Sequence, residues 1–288
     1  MKNSAPLTIL IMLLLSCRGE TPLPHHEDMK SSRIVSLSPS ITAQILDLES
    51  AQLLVGVTTY SPPLPHEVEI VGNLTNPNVE KIILLKPDAV LYSVEDAAVQ
   101  RTEQLTAMGI KLFSFRKNAD YKSICDNYRS LARILGKEKL AEEKLNAYNR
   151  KLEEIKIKAA ENRVKPSAAF FVSQEPLITV SRLSFISGII NDAGGINVYH
   201  DLEKAYPMVS AESLIILKPE IILSMMPDGE IFFSRLLSGY NRKEKDLSLK
   251  IYSINPDNVA LYTPGNYVSS VEEIWDKIDL YLKNRGRK

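Results

Sequence analysis

Apolar and polar positions along this chain fall into two alternating periods. Short apolar runs are separated by stretches in which apolar residues recur every three or four positions, the signature of buried strands alternating with amphipathic helices. RIVSLSP, from Arg33, reads as a strand stopped by Pro39, and Ser40 or Thr42 offers a hydroxyl to cap the helix ITAQILDL. LLVGVTTY is the next strand, with Gly56 inside it and the breakers Ser61-Pro62-Pro63 behind it. Asn78 caps a helix from Val79 to Leu85 that Lys86-Pro87 ends, and Ala89 to Tyr92 form a buried strand. The helix DAAVQRTEQLTAM stops at Gly109, and the strand IKLFSF follows. After Pro166 the alternation restarts with SAAFFVS, then LSFISGIINDAGG, KIYSINP and the closing helix SVEEIWDKIDLYLKN. Strand, helix and strand at this spacing imply parallel pairing through right-handed crossovers.

Two features organise these elements. From Gly136 to Arg163 the apolar residues Ala141, Leu145, Tyr148, Leu152, Ile155 and Ala159 form one narrow stripe on a charged rod. With no Gly or Pro until Pro166, about 27 residues give roughly 40 Å of helix. The rod predicts a strut between two α/β blocks, although a surface helix of one larger domain would carry the same stripe. The second feature is a repeat: VEKIILLKPDAVLYS, Val79 to Ser93, returns 132 positions later as AESLIILKPEIILSM, with six of fifteen positions identical. One helix-turn-strand unit is therefore expected once per lobe. The boundaries are an N-terminal lobe over 33–135, the connecting helix over 136–163 and a C-terminal lobe over 164–288.

Composition narrows the partners. A chain of 288 residues exceeds the usual single core, and 35 basic against 35 acidic residues leave no field for nucleic acid. Before the first strand, MKNSAPLTILIMLLLSC has one lysine and an apolar run too short for a membrane span, which makes 1–17 a secretory signal. Leu14-Leu15-Ser16-Cys17 resembles the bacterial lipobox, in which cleavage leaves the cysteine lipidated; a plain signal with Cys17 incidental is the alternative. The polar stretch 18–32 is a tether between membrane and domain. Cys125 sits beside the apolar face of the helix YKSICDNYRSLARIL and is expected to be inert. Catalytic motifs of the GxSxG, HExxH and phosphate-loop kinds are absent from the sequence. His66 and His200, in loops of different lobes, would need a further Asp or Glu to hold a metal.

RIVSLSPSIT, LLVGVTTYS, VEKIILLKPDAVL, GGINVYHD and AESLIILKPEIIL, in that order, resemble the periplasmic substrate-binding proteins of ABC importers for vitamin B12, ferric siderophores or haem. The likeness runs from about Arg33 to the C-terminus. It implies an α/β fold of two Rossmann-like lobes with parallel sheets, joined by one long helix, with the ligand in the cleft between them. It further implies a non-enzymatic, cofactor-free, monomeric lipoprotein of the periplasm or cell surface. Such a protein captures cobalamin or a related metal chelate and delivers it to the permease dimer. Haem or a ferric siderophore is the alternative cargo. A metal-dependent enzyme or free-metal receptor built on His66 and His200 is the alternative from another class, and a degenerate cleft without cargo is the third.

In B12-binding members one glutamate per lobe docks onto permease arginines; the matching positions are Glu80 and Glu212, although a helix dipole alone also favours glutamate there. Ligand contacts belong in loops at the carboxyl ends of strands. In the first lobe these are Tyr60, Ser61, Asn73, Leu74, Tyr92 and Ser93. In the second they are Ser173, Gln174, Tyr206, Met225, Tyr262 and Asn266. Tyrosines suit a flat, half-apolar chelate. Tyr206 stands before a proline where B12 binders carry a cleft tryptophan, while the one tryptophan here, Trp275, lies on the closing helix.

Overall fold

The structure, a computed structural model, describes residues 33–94, 104–238 and 249–285. The signal segment, Cys17 and the tether lie outside the described residues, as does most of the helix expected over 96–108, of which 104–107 are helical.

The first lobe holds β1 (Ile34–Ser36), α1 (Pro39–Asp47), β2 (Leu54–Val57), β3 (Glu69–Ile70), α2 (Val79–Leu84), β4 (Ala89–Ser93), β5 (Lys111–Phe115) and α3 (Tyr121–Leu135). Its strands lie in the order β3-β2-β1-β4-β5, every pair parallel. A single helix, α4 (Glu138–Glu161), leads to the second lobe. That lobe has β6 (Ser167–Gln174), β7 (Leu177–Thr179), α5 (Phe185–Asp192), β8 (Ile196–Asn197), α6 (Ala211–Leu217), β9 (Ile221–Ser224), α7 (Gly229–Ser238), β10 (Lys250–Ser253), α8 (Pro256–Ala260) and α9 (Pro264–Arg285). Its order is β10-β9-β6-β7, with β8 also on β6. The pairs are parallel except β6 with β7. The short strands β3, β7 and β8 have no periodicity of their own, and the apolar-run reading passes over them.

The start of α1 departs from expectation. Neither Ser40 nor Thr42 caps it, because the helix begins at Pro39, whose absent N–H is one of the amides that would otherwise lack a partner. Both hydroxyls act elsewhere. Thr42 Oγ1 donates to Ser36 Oγ (2.9 Å) and to the Ser38 carbonyl (3.1 Å), which fixes the turn from β1 into α1.

The connecting helix divides its apolar stripe. Ala141 and Leu145 are buried with Ile34, Ile45 and Leu131 of the first lobe. Leu152 and Ile155 are buried with Phe170, Ile189 and Ile274 of the second. Between them Tyr148 packs on the second core while its hydroxyl donates to Asp47 Oδ1 of the first lobe (2.9 Å). One helix thus starts in one core and ends in the other.

The repeated unit has the same geometry in both lobes. Asn78 caps α2 by accepting from the Lys81 amide, and Ser210 caps α6 by accepting from the Ser213 amide. At the other end Lys86 (φ 47°) and Lys218 (φ 44°) turn left-handed, which stops the helix before proline. The acid two residues on then meets an amide at the start of its lobe's first strand. Asp88 Oδ2 accepts from the Arg33 amide (3.0 Å), and Glu220 Oε2 accepts from the Ser167 amide (2.9 Å).

Candidate functional site between the lobes

The carboxyl ends of β1, β4 and β5 point toward the second lobe and open onto a cavity of about 310 Å³. The turn after β1 supplies Ser38, Pro39 and Ser40, and α1 adds Ile41 and Gln44. Ser93 ends β4, Phe115 ends β5, Asn118 follows it, and Asn127 comes from α3. Leu74 reaches in from the loop before α2, and the second lobe contributes Tyr206, Ala260 and Tyr262. None of these residues is charged. The polar groups are hydroxyls and amides: Asn127 Nδ2 donates to Asn118 Oδ1 (2.9 Å) and to the Arg116 carbonyl (2.8 Å), which holds both amides at the wall.

Tyr262 closes one side of the cavity across the lobe boundary. Its amide donates to Ser40 Oγ (3.0 Å), and its carbonyl accepts from Gln44 Nε2 (2.6 Å). Its ring meets Phe185 edge-on, with centroids 4.8 Å apart. The bond to the Tyr262 carbonyl sets the orientation of the Gln44 amide. Gln44 Oε1 is then a buried acceptor with no hydrogen-bond partner among the described residues. An unsatisfied acceptor in a cavity wall is an opening for a ligand donor.

Of the ligand residues expected from sequence, the structure brings Ser93, Tyr206 and Tyr262 together around this cavity, with Leu74 beside them. The others stand apart. Tyr60 is left-handed (φ 68°) and 85% exposed. Ser61 Oγ donates to the Thr58 carbonyl (2.8 Å). Asn73 folds its own loop by accepting from the Thr75 and Asn76 amides, and lines a separate open depression together with Glu80. Tyr92 precedes Ser93 on β4, so its side chain leaves by the other face and packs against the cluster of Val35, Val71 and Val90. Ser173 pairs with Ile178 in the β6–β7 ladder, Gln174 Nε2 donates to the Pro227 carbonyl (3.2 Å), and Met225 packs on the second core. Asn266 Nδ2 donates to the Asp257 and Leu261 carbonyls and steers the chain into α9.

Gln44, Ser40, Asn118 and Asn127 are among the wall residues that sequence reading missed, with Ser38, Pro39, Ile41, Phe115 and Ala260. Gln44 carried a signal: it falls among Ile41, Ile45 and Leu48 on the apolar stripe of α1, where a polar residue needs a reason.

The docking candidates Glu80 and Glu212 are each the second residue of their helix and exposed. His66 Nε2 lies 3.4 Å from the Leu54 carbonyl, and His200 is exposed in a turn. Among the described residues no group of three or more His, Cys, Asp or Glu is placed to hold a metal ion.

The most displaced ionisations lie behind the cavity, along α3, α4 and α9. Burial raises the hydroxyls of Tyr121, Tyr148 and Tyr267 far above the ordinary tyrosine range and pushes the Cys125 thiol up to about 11. These groups are neutral at physiological pH. Tyr121 and Tyr267 stack across the lobe boundary at 4.7 Å, and Tyr267 donates to Asp192 Oδ2 (2.8 Å). The back of the cleft is thereby pinned, and at the cavity Tyr262 joins the two lobes through Ser40 and Gln44.

Comparison with known proteins agrees with this architecture. A vitamin B12-binding protein of Vibrio cholerae serotype O1 (strain ATCC 39541 / Classical Ogawa 395 / O395) is 28% identical over 222 residues, which cover 75% of this chain and 79% of that protein. The crystal structure of the periplasmic vitamin B12 binding protein of Vibrio cholerae matches with a TM-score of 0.72 at 23% identity, covering 88% of this chain and 98% of that one. A periplasmic haem binding protein of the same organism matches with a TM-score of 0.73 at 18% identity, covering 85% and 97%. The family model described as periplasmic binding protein matches residues 34–247, well over half of the sequence, and the chain belongs to that family.

Proposed function

We propose that this protein is the substrate-binding component of an ABC importer and that its cargo is cobalamin or a closely related amide-bearing metal chelate. The observation that carries the choice of cargo is the uncharged wall of the inter-lobe cavity. Haem brings carboxylates, and many ferric siderophores are anionic; burying such charge without a partner is costly. A corrinoid presents a ring of neutral amides around a flat macrocycle. Gln44, Asn118 and Asn127 offer matching amide donors and acceptors, and Tyr206 and Tyr262 offer aromatic surface. The 28% identity to a vitamin B12-binding protein supports the same choice.

A space of about 310 Å³ is smaller than a corrinoid, so loading parts the lobes at the Tyr262 contacts with Ser40 and Gln44. Proteins of this family deliver their cargo to ABC permeases. In this reading Glu80 and Glu212 face paired cations of the permease, Cys17 carries the lipid anchor, and the monomer works in the periplasm. One observation favours haem instead: Tyr206, 40% exposed, lines the cavity, and a tyrosine is a residue type that ligates ferric haem iron.

Equilibrium dialysis of the chain lacking its first 17 residues, against cobalamin, haemin and a ferric hydroxamate in turn, decides between them. One cobalamin retained per chain is expected. Retention of haemin or the hydroxamate alone replaces the cargo, and retention of none of the three overturns the reading.

A further inference from the structure

Three hydrogen-bonding groups that α1 turns toward the second lobe add up to the outline of one chemical group. Ser40 and Gln44 stand four residues apart on α1 and so share one face of it. Ser40, 8% exposed, accepts from the Tyr262 amide through Oγ (3.0 Å). Gln44, 2% exposed, donates from Nε2 to the Tyr262 carbonyl (2.6 Å). Gln44 Oε1 is buried with no partner among the described residues. Asn118 and Asn127, the other amides of the wall, are tied within the first lobe instead, to each other (2.9 Å) and from Asn127 to the Arg116 carbonyl (2.8 Å). The Tyr262 main chain thus meets two of three needs, and with a single N–H it has nothing to offer the third.

When the lobes part for cargo, two acceptors and one donor in this wall must all find partners, because leaving them buried and unsatisfied is costly. A primary carboxamide carries one C=O and two N–H groups and answers all three. A secondary amide falls one N–H short. A carboxylate brings acceptors alone and sets its charge against Gln44 Oε1.

We infer that Ser40 and Gln44 form a seat for one primary carboxamide of the cargo, and that the Tyr262 main chain holds this seat as an internal competitor until loading. The cargo C=O accepts from Gln44 Nε2, one N–H donates to Gln44 Oε1 and the other to Ser40 Oγ. This seat rests on the importer reading with an amide-bearing cargo. It adds which group of the cargo is read, by which residues, and against which contact of the protein itself. The Tyr262 main chain lowers the apparent affinity in proportion to the time it spends in the seat, so a chelate without the carboxamide fails to displace it.

The test is hydrogen exchange at the Tyr262 amide, read by NMR on the wild-type chain of the dialysis experiment. Amides around a cleft ordinarily slow when a ligand binds. The Tyr262 amide is expected to exchange faster instead, by about tenfold, once cobalamin is bound and Ser40 has passed to the cargo. A Tyr262 amide that slows or stays unchanged while cobalamin is retained overturns the seat and leaves the cargo standing. In dialysis, Ser40→Ala and Gln44→Leu should each weaken cobalamin binding about tenfold. Together they should weaken it by clearly less than the product, because both read one group. Retention equal to wild type, or losses that multiply in full, contradicts the seat. Should the wild type retain no cobalamin, that cargo falls, and propionamide, the same group without a macrocycle, judges the seat alone. Shifts of the Gln44 side-chain and Tyr262 amide resonances with propionamide, absent with propionate and with N-methylpropionamide, keep the seat. No difference among the three probes overturns it too.

Discussion

A single acid in each lobe shows how much a residue's role depends on a distant partner. Lys-Pro-Asp and Lys-Pro-Glu are visible in the sequence as a repeat, and the lysine's left-handed turn follows from the proline behind it. What the acid does is not visible, because the amides it accepts from, Arg33 and Ser167, lie 55 and 53 positions away. Glu220 additionally accepts from the Tyr281 hydroxyl (3.0 Å) and pairs with Arg285. Glu220→Ala is therefore expected to cost about 2 kcal/mol in urea unfolding, and Asp88→Ala, at a more exposed site, about 1 kcal/mol. Equal, negligible losses would mean that strand pairing alone holds the start of β1 and β6. Gln44 is the opposite case, legible as a polar break in an apolar stripe. Its role is still not legible, since Tyr262 is 218 positions away.

At the scale of elements, the strands and helices with strong periodicity were legible and the spaces between them were not. Gly56 illustrates the difference. The sequence shows a glycine inside a strand; the structure shows why. A Cβ there would come within 2.8 Å of Leu85 Cδ1 and 2.9 Å of Val71 Cγ1, because the end of the repeat helix packs onto β2 at that point. Gly56→Ala is expected to destabilise the chain by about 1–3 kcal/mol, measured as a lower denaturation midpoint at unchanged m-value. A stabilised variant would show that α2 lies further from the sheet. The stripe of α4 was equally legible, but the division of that stripe between two cores follows from where each lobe's sheet ends. The cavity wall was the least legible part. It gathers residues from separate turns, and neighbours such as Tyr92 and Ser93 part to opposite faces of one strand.

The whole molecule is two copies of one architectural idea, pinned behind by α4 and the Tyr121–Tyr267 stack and closed in front by Tyr262. The repeat and the strut make this two-lobed α/β plan readable in the sequence. In the proposed reading, function at this scale lies in the cavity between the lobes and in the docking acids Glu80 and Glu212 outside it. Charge reversal of both acids, Glu80→Lys with Glu212→Lys, is expected to abolish uptake of labelled cargo by cells while cargo affinity stays unchanged. Normal uptake by that variant would remove the glutamates from docking. The central claim, that the uncharged cavity holds an amide-bearing chelate, is tested most directly by thermal unfolding of wild type and Gln44→Leu with and without cobalamin. At 100 times its dissociation constant, cobalamin should stabilise the wild type by about 2.7 kcal/mol, a rise of roughly 5–10 °C, and Gln44→Leu clearly less. No rise with cobalamin, beside a rise with haemin or a ferric siderophore, would contradict the account.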